Sequence, residues 1–314
     1  MLTRMAISTE KRPMPIAYRL VLLGYLGLVG CSDKPDETPA ADARAAEERA
    51  AAAVPQGREV DRRIFEEKIA LARAERLDTL PIGAIMVRIG ESFLGTRYTP
   101  GTLEAEGPEG LVINLEELDC VTYVENVLAL ARIVRARQPT WEAYVRELER
   151  IRYRGGELNG YPSRLHYFSE WISDNERLGL VRNVTRDIGG VPLAERIDFM
   201  TTHRESYRQL ADSATFEAIR DIETRLSGQE RWYIPESSLA AAMPRIQNGD
   251  LIGATSSIEG LDIAHTGIAV VREDGVYLMH APLVGEDVQM SETPLDQRIA
   301  RIEGQDGIMV ARPL

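Results

Sequence analysis

The stretch at residues 118–128, LDCVTYVENVL, constrains the fold of this chain more than any other part of the sequence. It predicts a buried helix, because apolar residues recur at helical spacing at Val121, Val124, Val127, Leu128 and Ala131. Asp119 is a good N-cap residue, which places Cys120 in the first turn. A helix with such an apolar face has to lie at the centre of its domain.

Cys120 has two interpretations at this point. Unpaired backbone N–H groups and the positive end of the helix dipole meet at a helix start, and both favour the thiolate, which is the nucleophilic form. Free cysteine is also among the residues that are most often buried, so a small core residue is the alternative. The stretch alone leaves both open.

Composition limits the classes of function. The chain has 314 residues, 44% of them hydrophobic, and 37 basic against 49 acidic residues give a formal net charge of −12. These values are typical of a globular protein. The negative charge argues against a nucleic-acid surface and against membrane binding through a basic patch.

The N-terminus predicts an export signal. Basic residues precede an apolar run at residues 20–30, which is too short to span a bilayer but suits a secretory signal. The run ends in Leu28-Val29-Gly30-Cys31, which resembles the lipobox of bacterial lipoproteins. The resemblance implies that Cys31 is lipidated and starts the mature chain, and Ser32 points to the outer membrane, facing the periplasm. A disulfide between Cys31 and Cys120 stays open as the alternative.

We predict three segments: a signal peptide at 1–30, a flexible tether at 31–60 and one folded domain at 61–314. The tether is predicted because Ala, Asp, Glu, Arg and Pro dominate it. Helical patterns come first in the domain, at 61–72, 82–94, 120–137, 141–153, 171–175 and 202–226, with a strand candidate at 111–115. Strand patterns follow at 250–254, 264–271, 276–281 and 308–312. Helices followed by a mainly antiparallel sheet predict an α+β architecture.

Two histidines lie in the predicted sheet. His265 begins one strand and His280 ends the next, and a turn at 273–275 joins the two strands. The two side chains therefore fall at the same end of one hairpin. With a helix-start cysteine they supply what thiol catalysis needs, a base for the thiol proton and a group that orients it. His203, in contrast, is predicted at a helix start without a partner.

A zinc hydrolase is the competing class. Asp262 and His265 are three residues apart, and His280 could be a third ligand. No His-Glu-x-x-His or paired-cysteine motif accompanies them. We therefore predict neither a metal nor another cofactor.

Several stretches together resemble a known family. They are Gly95-Thr96-Arg97-Tyr98, residues 118–125, Ser163-Arg164-Leu165-His166-Tyr167, residues 171–175, Gly249-Asp250-Leu251-Ile252 and His265-Thr266-Gly267-Ile268-Ala269. They resemble the N-acetylmuramoyl-L-alanine amidase-like branch of the NlpC-type cell-wall cysteine hydrolases, over residues 62 to 314.

The resemblance implies a papain-like fold and cleavage of the amide between N-acetylmuramic acid and L-alanine. It assigns the nucleophile to Cys120, the base to His265 and the orienting residue to His280. It further implies substrate contacts for Tyr98 and Asp119. The loop with Arg164 and His166 is distinctive of this branch, and its charge leads us to predict that it binds substrate. A structural salt bridge is the alternative for Arg164.

The implied partners are peptidoglycan or its muropeptides, and the membrane through the lipid on Cys31. Nucleic acid is not expected, and no protein partner can be inferred. Two other functions stay open: a stem-peptide endopeptidase with the same site, and a murein-binding lipoprotein without activity.

Lipidation can be tested directly. Since several acyl chains anchor a protein stably, Cys31→Ser should release the protein from membranes while hydrolysis by the purified protein is unchanged. The measurement is membrane fractionation together with the intact mass. A wild-type mass without acyl groups on Cys31 would refute the lipoprotein assignment.

Overall fold

The structure is a computed structural model that describes residues 57–104, 106–283 and 286–314. The predicted signal peptide, the predicted lipidation site Cys31 and nearly all of the predicted tether lie outside these residues. None of the helices in this part of the chain combines the length and the apolar composition that crossing a membrane requires.

Helices dominate the first half of the described chain. They are α1 (Glu59–Ala74), α2 (Ile82–Glu91), α3 (Cys120–Arg135), α4 (Trp141–Arg152), α5 (Phe168–Arg177), α6 (Phe199–Thr202), α7 (Ser213–Ser227), α8 (Leu239–Ala242) and α9 (Leu295–Arg301). Short 3-10 turns lie at Leu77–Thr79, Arg154–Gly156, Tyr161–Ser163, Arg204–Ser206, Arg208–Ala211, Glu236–Ser238 and Met243–Arg245.

Strands dominate the second half. They are β1 (Arg97–Tyr98), β2 (Glu117–Leu118), β3 (Val181–Asn183), β4 (Val191–Leu193), β5 (Arg231–Pro235), β6 (Leu251–Ser256), β7 (Ile263–Arg272), β8 (Gly275–His280), β9 (Gln289–Met290) and β10 (Gln305–Pro313). Strands β1 and β2 form a small parallel pair. The main sheet runs β4-β5-β10-β6-β7-β8-β9, with β3 also on β10, and its pairs are antiparallel. The predicted α+β class is confirmed.

Helix α3 is the centre of the larger core. Twelve of its sixteen residues are buried, and the apolar ones among them share one cluster with α1, α2, α4, α5 and one face of the sheet. Its start is fixed by a capping box: Asp119 Oδ1 accepts the Thr122 N–H at 2.8 Å, and Thr122 Oγ1 accepts the Asp119 N–H at 2.9 Å. The sequence therefore fixes which residue begins this helix.

Strands β7 and β8 form the predicted hairpin. Arg272 pairs with Gly275, so Glu273 and Asp274 make a two-residue turn. Asp274 Oδ2 accepts the hydroxyl of Tyr277 at 2.8 Å, which supports the turn from inside the second strand. This register brings the first residues of β7 beside the last residue of β8.

The predicted strand at 111–115 is wrong. This segment has no regular structure, although Ile113 and Leu115 are buried. The fully buried carboxylate of Asp61 accepts the Leu115 N–H at 2.8 Å, so a side chain supplies the bond that a neighbouring strand would have made. The strand in this region is β2, two residues further along the chain.

Strands β4 and β5 were not predicted from the sequence. Both are short and contain proline, which is depleted in strands, and β5 starts on a buried arginine, Arg231. The Arg231 guanidinium donates to the backbone carbonyl of Leu226 at 3.0 Å and to that of Glu195, which ties β5 to the end of α7. Strand β5 therefore depends on tertiary contacts and not on a local sequence pattern.

A buried ion pair braces α3 against α4. Arg152 Nε donates to Glu125 Oε2 at 2.7 Å, each side chain is 2% exposed, and the indole N–H of Trp171 reaches Glu125 Oε1 at 3.3 Å. Burial raises the pKa of Glu125, and the Arg152 charge opposes that rise. Both charges therefore depend on each other for compensation.

Removing one partner should be costly. We expect Arg152→Met to lower the free energy of unfolding by about 3–5 kcal/mol, because it leaves Glu125 buried without its cation. Arg63→Met is the control, since Arg63 forms an exposed pair with Glu67 at 4.0 Å and should change stability by less than about 1 kcal/mol. Urea unfolding measures both, and equal losses would contradict the assignment.

Candidate active site

Cys120 is the first residue of α3 and carries a free thiol that is only partly exposed. Strand β7 holds this helix start in place, because the Thr266 hydroxyl donates to the Cys120 carbonyl oxygen at 2.8 Å. Thr266 follows His265 in β7. The predicted nucleophile and the predicted base are therefore connected through one side-chain hydrogen bond between helix and sheet.

Burial raises the pKa of the Cys120 thiol to about 11, and the negative charge of Asp119 adds to the rise. The N–H and hydroxyl of Thr266 act in the opposite direction but are weaker. The helix start alone predicts a thiolate, whereas its surroundings keep the thiol protonated at neutral pH. Attack on a substrate therefore requires a base.

His265 and His280 form a direct pair. Their ring nitrogens Nε2 and Nδ1 are 2.7 Å apart, and the two rings are nearly perpendicular, at 84°. Both side chains are buried, 7% and 4% exposed. At the start of β7 the pairing with β6 shifts by one residue, between the Ala254–His265 and Thr255–Ile263 pairs. Such irregularities re-aim side chains at the edges of functional sites.

The histidine pair is neutral over the physiological range. Burial lowers the pKa of His265 well below its usual value, and the proximity of His280 and of the Arg298 charge lowers it further. Burial and Arg298 lower the pKa of His280 to about 3. Both rings are therefore unprotonated and have a nitrogen lone pair for a proton, although the lowered pKa makes each a weaker base than an exposed histidine.

Arg298 was missed by the sequence analysis. It lies on α9, interacts electrostatically with Cys120 and with both histidines, and donates from Nη1 to Gln305 Oε1 at 3.0 Å. A single arginine in a short amphipathic helix carries no motif. Only the packing of α9 against the β7–β8 hairpin brings it to the site.

Tyr98 lies beside the helix start. It pairs with Leu118 across the β1–β2 pair, and burial together with the charges of Cys120 and Asp119 raises its pKa. Asp119 itself serves the capping box described above and also lines a cleft. The structure thus brings both predicted substrate contacts to Cys120.

The cleft next to Asp119 has a volume of about 230 Å³. Its walls include Val121 and the predicted loop residues Arg164 and His166, together with apolar side chains of α5 and α6 such as Phe168 and Met200. The loop and the helix start therefore share one cavity, as a substrate-binding role for the loop requires.

Arg164 is already paired. It is 4% exposed, its guanidinium contacts Glu104 and lies 3.6 Å from Glu109, and Nη1 donates to the Leu103 carbonyl at 2.8 Å. It also lies over the Tyr161 ring at 4.9 Å. This geometry is the salt bridge that the sequence left as the alternative, and capture of a substrate carboxylate by Arg164 stays a prediction.

The other two histidines have structural contacts. His166 Nε2 lies 2.9 Å from the Tyr161 carbonyl oxygen, and burial and the Arg164 charge lower its pKa to about 3. His203 directly follows α6 and directly precedes the 3-10 turn at Arg204–Ser206, so it stands before a single short turn and not before the predicted long helix. Its ring stacks on Phe199 at 4.1 Å, and Nδ1 lies 2.9 Å from the Phe199 carbonyl oxygen.

Asp262 forms hydrogen bonds with backbone N–H groups. Its carboxylate accepts the N–H groups of Ser169 and Ile263, both at 2.7 Å. Within residues 57–104, 106–283 and 286–314, no group of three or more His, Cys, Asp or Glu side chains is arranged to hold a metal ion. The zinc ligand set considered for the sequence, Asp262 with the two histidines, is not assembled.

Comparison with known proteins gives one family. Residues 88–307 match the AmiA-like family, described as N-acetylmuramoyl-L-alanine amidase-like. An N-acetylmuramoyl-L-alanine amidase from Bacteroides uniformis is 38% identical, with a TM-score of 0.71 over 74% of this chain and 98% of that chain. None of the curated proteins matches the chain.

Two further solved structures are similar. A protein from Bacteroides fragilis, provisionally named a xylanase, is 36% identical, with a TM-score of 0.66 over 71% of this chain and 98% of that chain. A protein from Legionella pneumophila is 21% identical, with a TM-score of 0.57 over 86% and 96% of the two chains. The second likeness concerns the fold alone.

The protonation state of the Cys120 thiol can be tested by its rate of alkylation. Because only the thiolate is alkylated, the rate of Cys120 labelling by iodoacetamide should rise about tenfold per pH unit from pH 7 to 10 without levelling off. The Asp119→Asn variant keeps a good N-cap but loses the charge that raises the thiol pKa, so it should react faster at pH 8. Peptide mass spectrometry locates the label, and a plateau below pH 7 would mean a preformed thiolate.

Proposed function

The chain belongs to the AmiA-like, N-acetylmuramoyl-L-alanine amidase-like family, and from this premise we propose that it is a cysteine-dependent peptidoglycan amidase. The proposed reaction is hydrolysis of the amide between N-acetylmuramic acid and L-alanine. We also propose that it has the papain-like fold of the NlpC-type hydrolases, and that a lipid on Cys31 anchors it at the outer membrane beside its substrate.

The observation that carries the proposal is the hydrogen-bonded pair of His265 and His280 beside the start of α3. A cysteine at a helix start, a neutral imidazole and a third group that fixes the imidazole are the parts of a thiol acyl-transfer site. The Thr266–Cys120 bond aligns the two elements that carry them. A purely structural role would not require two buried histidines to pair with each other.

The histidine pair fixes its own tautomers. For His265 to take the thiol proton on Nδ1, its Nε2 must carry the N–H that points to His280 Nδ1. His280 then carries its proton on Nε2. In this arrangement His280 accepts one hydrogen bond and orients His265.

In the first step Cys120 attacks the lactyl carbonyl carbon of the muramoyl group as His265 removes the thiol proton. The backbone N–H groups at the start of α3 stabilise the oxyanion that forms. His265 then gives its proton to the amine of L-alanine, which leaves as the C–N bond breaks. Water, activated by the same imidazole, hydrolyses the muramoyl thioester and restores the thiol.

Three other functions have to be compared with the proposed amidase. An endopeptidase would cut within the stem peptide with the same residues, and a murein-binding lipoprotein would keep the cleft without activity. A glycosidase, which the name of the Bacteroides fragilis protein suggests, needs two carboxylates flanking the scissile bond. The pair found here consists of imidazoles, so we do not propose glycoside cleavage.

Product analysis separates these functions. After digestion of purified muropeptides with the full chain, mass spectrometry should find peptide-free glycan and intact stems with a free L-alanine amine. Truncated stems still joined to glycan would indicate the endopeptidase, and Cys120→Ala should lower the rate at least about 10³-fold. Treatment with a metal chelator should leave the rate unchanged, and activity retained by Cys120→Ala would exclude the proposed mechanism.

Substitutions of the two histidines should lower turnover to different extents. His265→Ala removes the proton carrier and should abolish turnover, whereas His280→Asn should keep a measurable remainder, because the amide oxygen can still accept the imidazole N–H. Circular dichroism and melting temperature control for folding. A folded His280→Asn variant as inactive as His265→Ala would mean that His280 itself carries protons or contacts substrate.

A further inference from the structure

A large cavity among the described residues has His280, the partner of His265, in its wall. It has a volume of about 760 Å³ and is formed by the end of β8, the segment around β9 and one face of α9. His280 and Arg298 form part of its wall, and Arg301, one turn further along α9, lines it as well. It therefore reaches from solvent to the histidine pair.

Arg298 is an uncompensated cation in this cavity. Burial lowers the pKa of its guanidinium, and the charges that act on it among the described residues do not include a carboxylate. Its guanidinium donates a hydrogen bond to a neutral acceptor, Gln305 Oε1, at 3.0 Å. Buried arginines are ordinarily paired, as the buried Arg152 and Arg164 are here. The guanidinium of Arg298 is thus held in position by Gln305, but no carboxylate among the described residues neutralises its charge.

The acidic residues of the cavity lie at its rim. Glu286, Asp287 and Glu292 are exposed, and none of them is among the charges that act on Arg298. The cavity is therefore positive at depth and negative at its mouth. That distribution suits a peptide segment that carries a carboxylate and more distant amines, and it disfavours a polyanion.

We propose that this cavity is a substrate subsite in which Arg298 binds a carboxylate of the stem peptide. The proposal rests on the amidase function proposed above, and it deepens that function by assigning the feature of the substrate that is recognised. We commit to the α-carboxylate of D-glutamate, which in the γ-linked stem follows L-alanine and lies on the leaving side of the scissile amide. A guanidinium fork binds a carboxylate through two parallel hydrogen bonds.

The proposal moves carboxylate recognition from Arg164 to Arg298. The Arg164 guanidinium already pairs with Glu104 and lies 3.6 Å from Glu109, so a substrate carboxylate would have to displace these partners. Arg298 has no such competitor among the described residues. It shares the cavity wall with His280, whose Nδ1 lies 2.7 Å from His265 Nε2, so a ligand held there lies beside the histidine pair.

The test uses two ligands that differ in one group. N-acetylmuramoyl-L-alanyl-D-glutamate has the free α-carboxylate, and N-acetylmuramoyl-L-alanyl-D-isoglutamine has an amide in its place. In the inactive Cys120→Ala full-length protein, calorimetry should find the carboxylate ligand bound about 10- to 100-fold more tightly, as expected for a charge-assisted bidentate bond. Adding Arg298→Gln should reduce this ratio to below about twofold, and Arg298→Lys should give an intermediate value.

Arg164→Gln in the same Cys120→Ala protein is the matched control, with melting temperature monitored for each variant. It should keep the discrimination between the two ligands. The proposal is overturned if the parent protein binds both ligands equally, or if Arg164→Gln rather than Arg298→Gln removes the ratio.

Binding to an inactive variant does not depend on turnover, so the two proposals can fail separately. Discrimination at Arg298 without release of alanyl-glutamate by the wild type would reject the amidase function and keep the subsite. Release from both ligands, with equal binding, would reject the subsite and keep the amidase function.

Discussion

The start of α3 is held from two directions, and the candidate site depends on that constraint. Within the helix, Asp119 and Thr122 exchange hydrogen bonds that determine where the helix begins. From the sheet, Thr266 binds the Cys120 carbonyl oxygen. Because α3 is buried along most of its length, it cannot rotate to another position without opening the core. A cysteine that must meet a base on a different element needs such a fixed reference.

Charged groups inside the protein have two kinds of partner, a group of opposite charge or a neutral group. Around the helices, cations and carboxylates are matched: Arg152 with Glu125, Arg154 with Glu170, and Arg312 with Asp250. These pairs connect segments that are distant in the sequence. Beside the histidines, Arg298 donates to the neutral amide of Gln305 and forms no ion pair within the described part of the chain, and its charge lowers the pKa of both imidazoles. The ion pairs hold elements of the fold together, whereas the Arg298 guanidinium keeps a charge that a bound ligand could neutralise, as proposed above.

The sequence predicts those features that local patterns determine. Helix α3 follows from apolar spacing and an N-cap, and the β7–β8 hairpin from alternating strands around a turn, so the positions of Cys120, His265 and His280 could be anticipated. Features made by distant contacts could not. The bond from Leu115 to Asp61 replaces a predicted strand, β5 depends on Arg231, and Arg298 reaches the site only through packing of α9. The helix-start argument also predicted a thiolate, and burial reverses it.

The raised pKa of Cys120 has a consequence for the lifetime of the protein. Oxidants such as peroxides react with thiolates, and susceptibility to sulfenic and sulfonic acid formation follows thiolate character and exposure. A thiol with a pKa of about 11 is almost entirely protonated at neutral pH, and it is only partly exposed. Holding the sulfur as a thiol therefore slows its oxidation, which would preserve the atom on which the proposed mechanism depends.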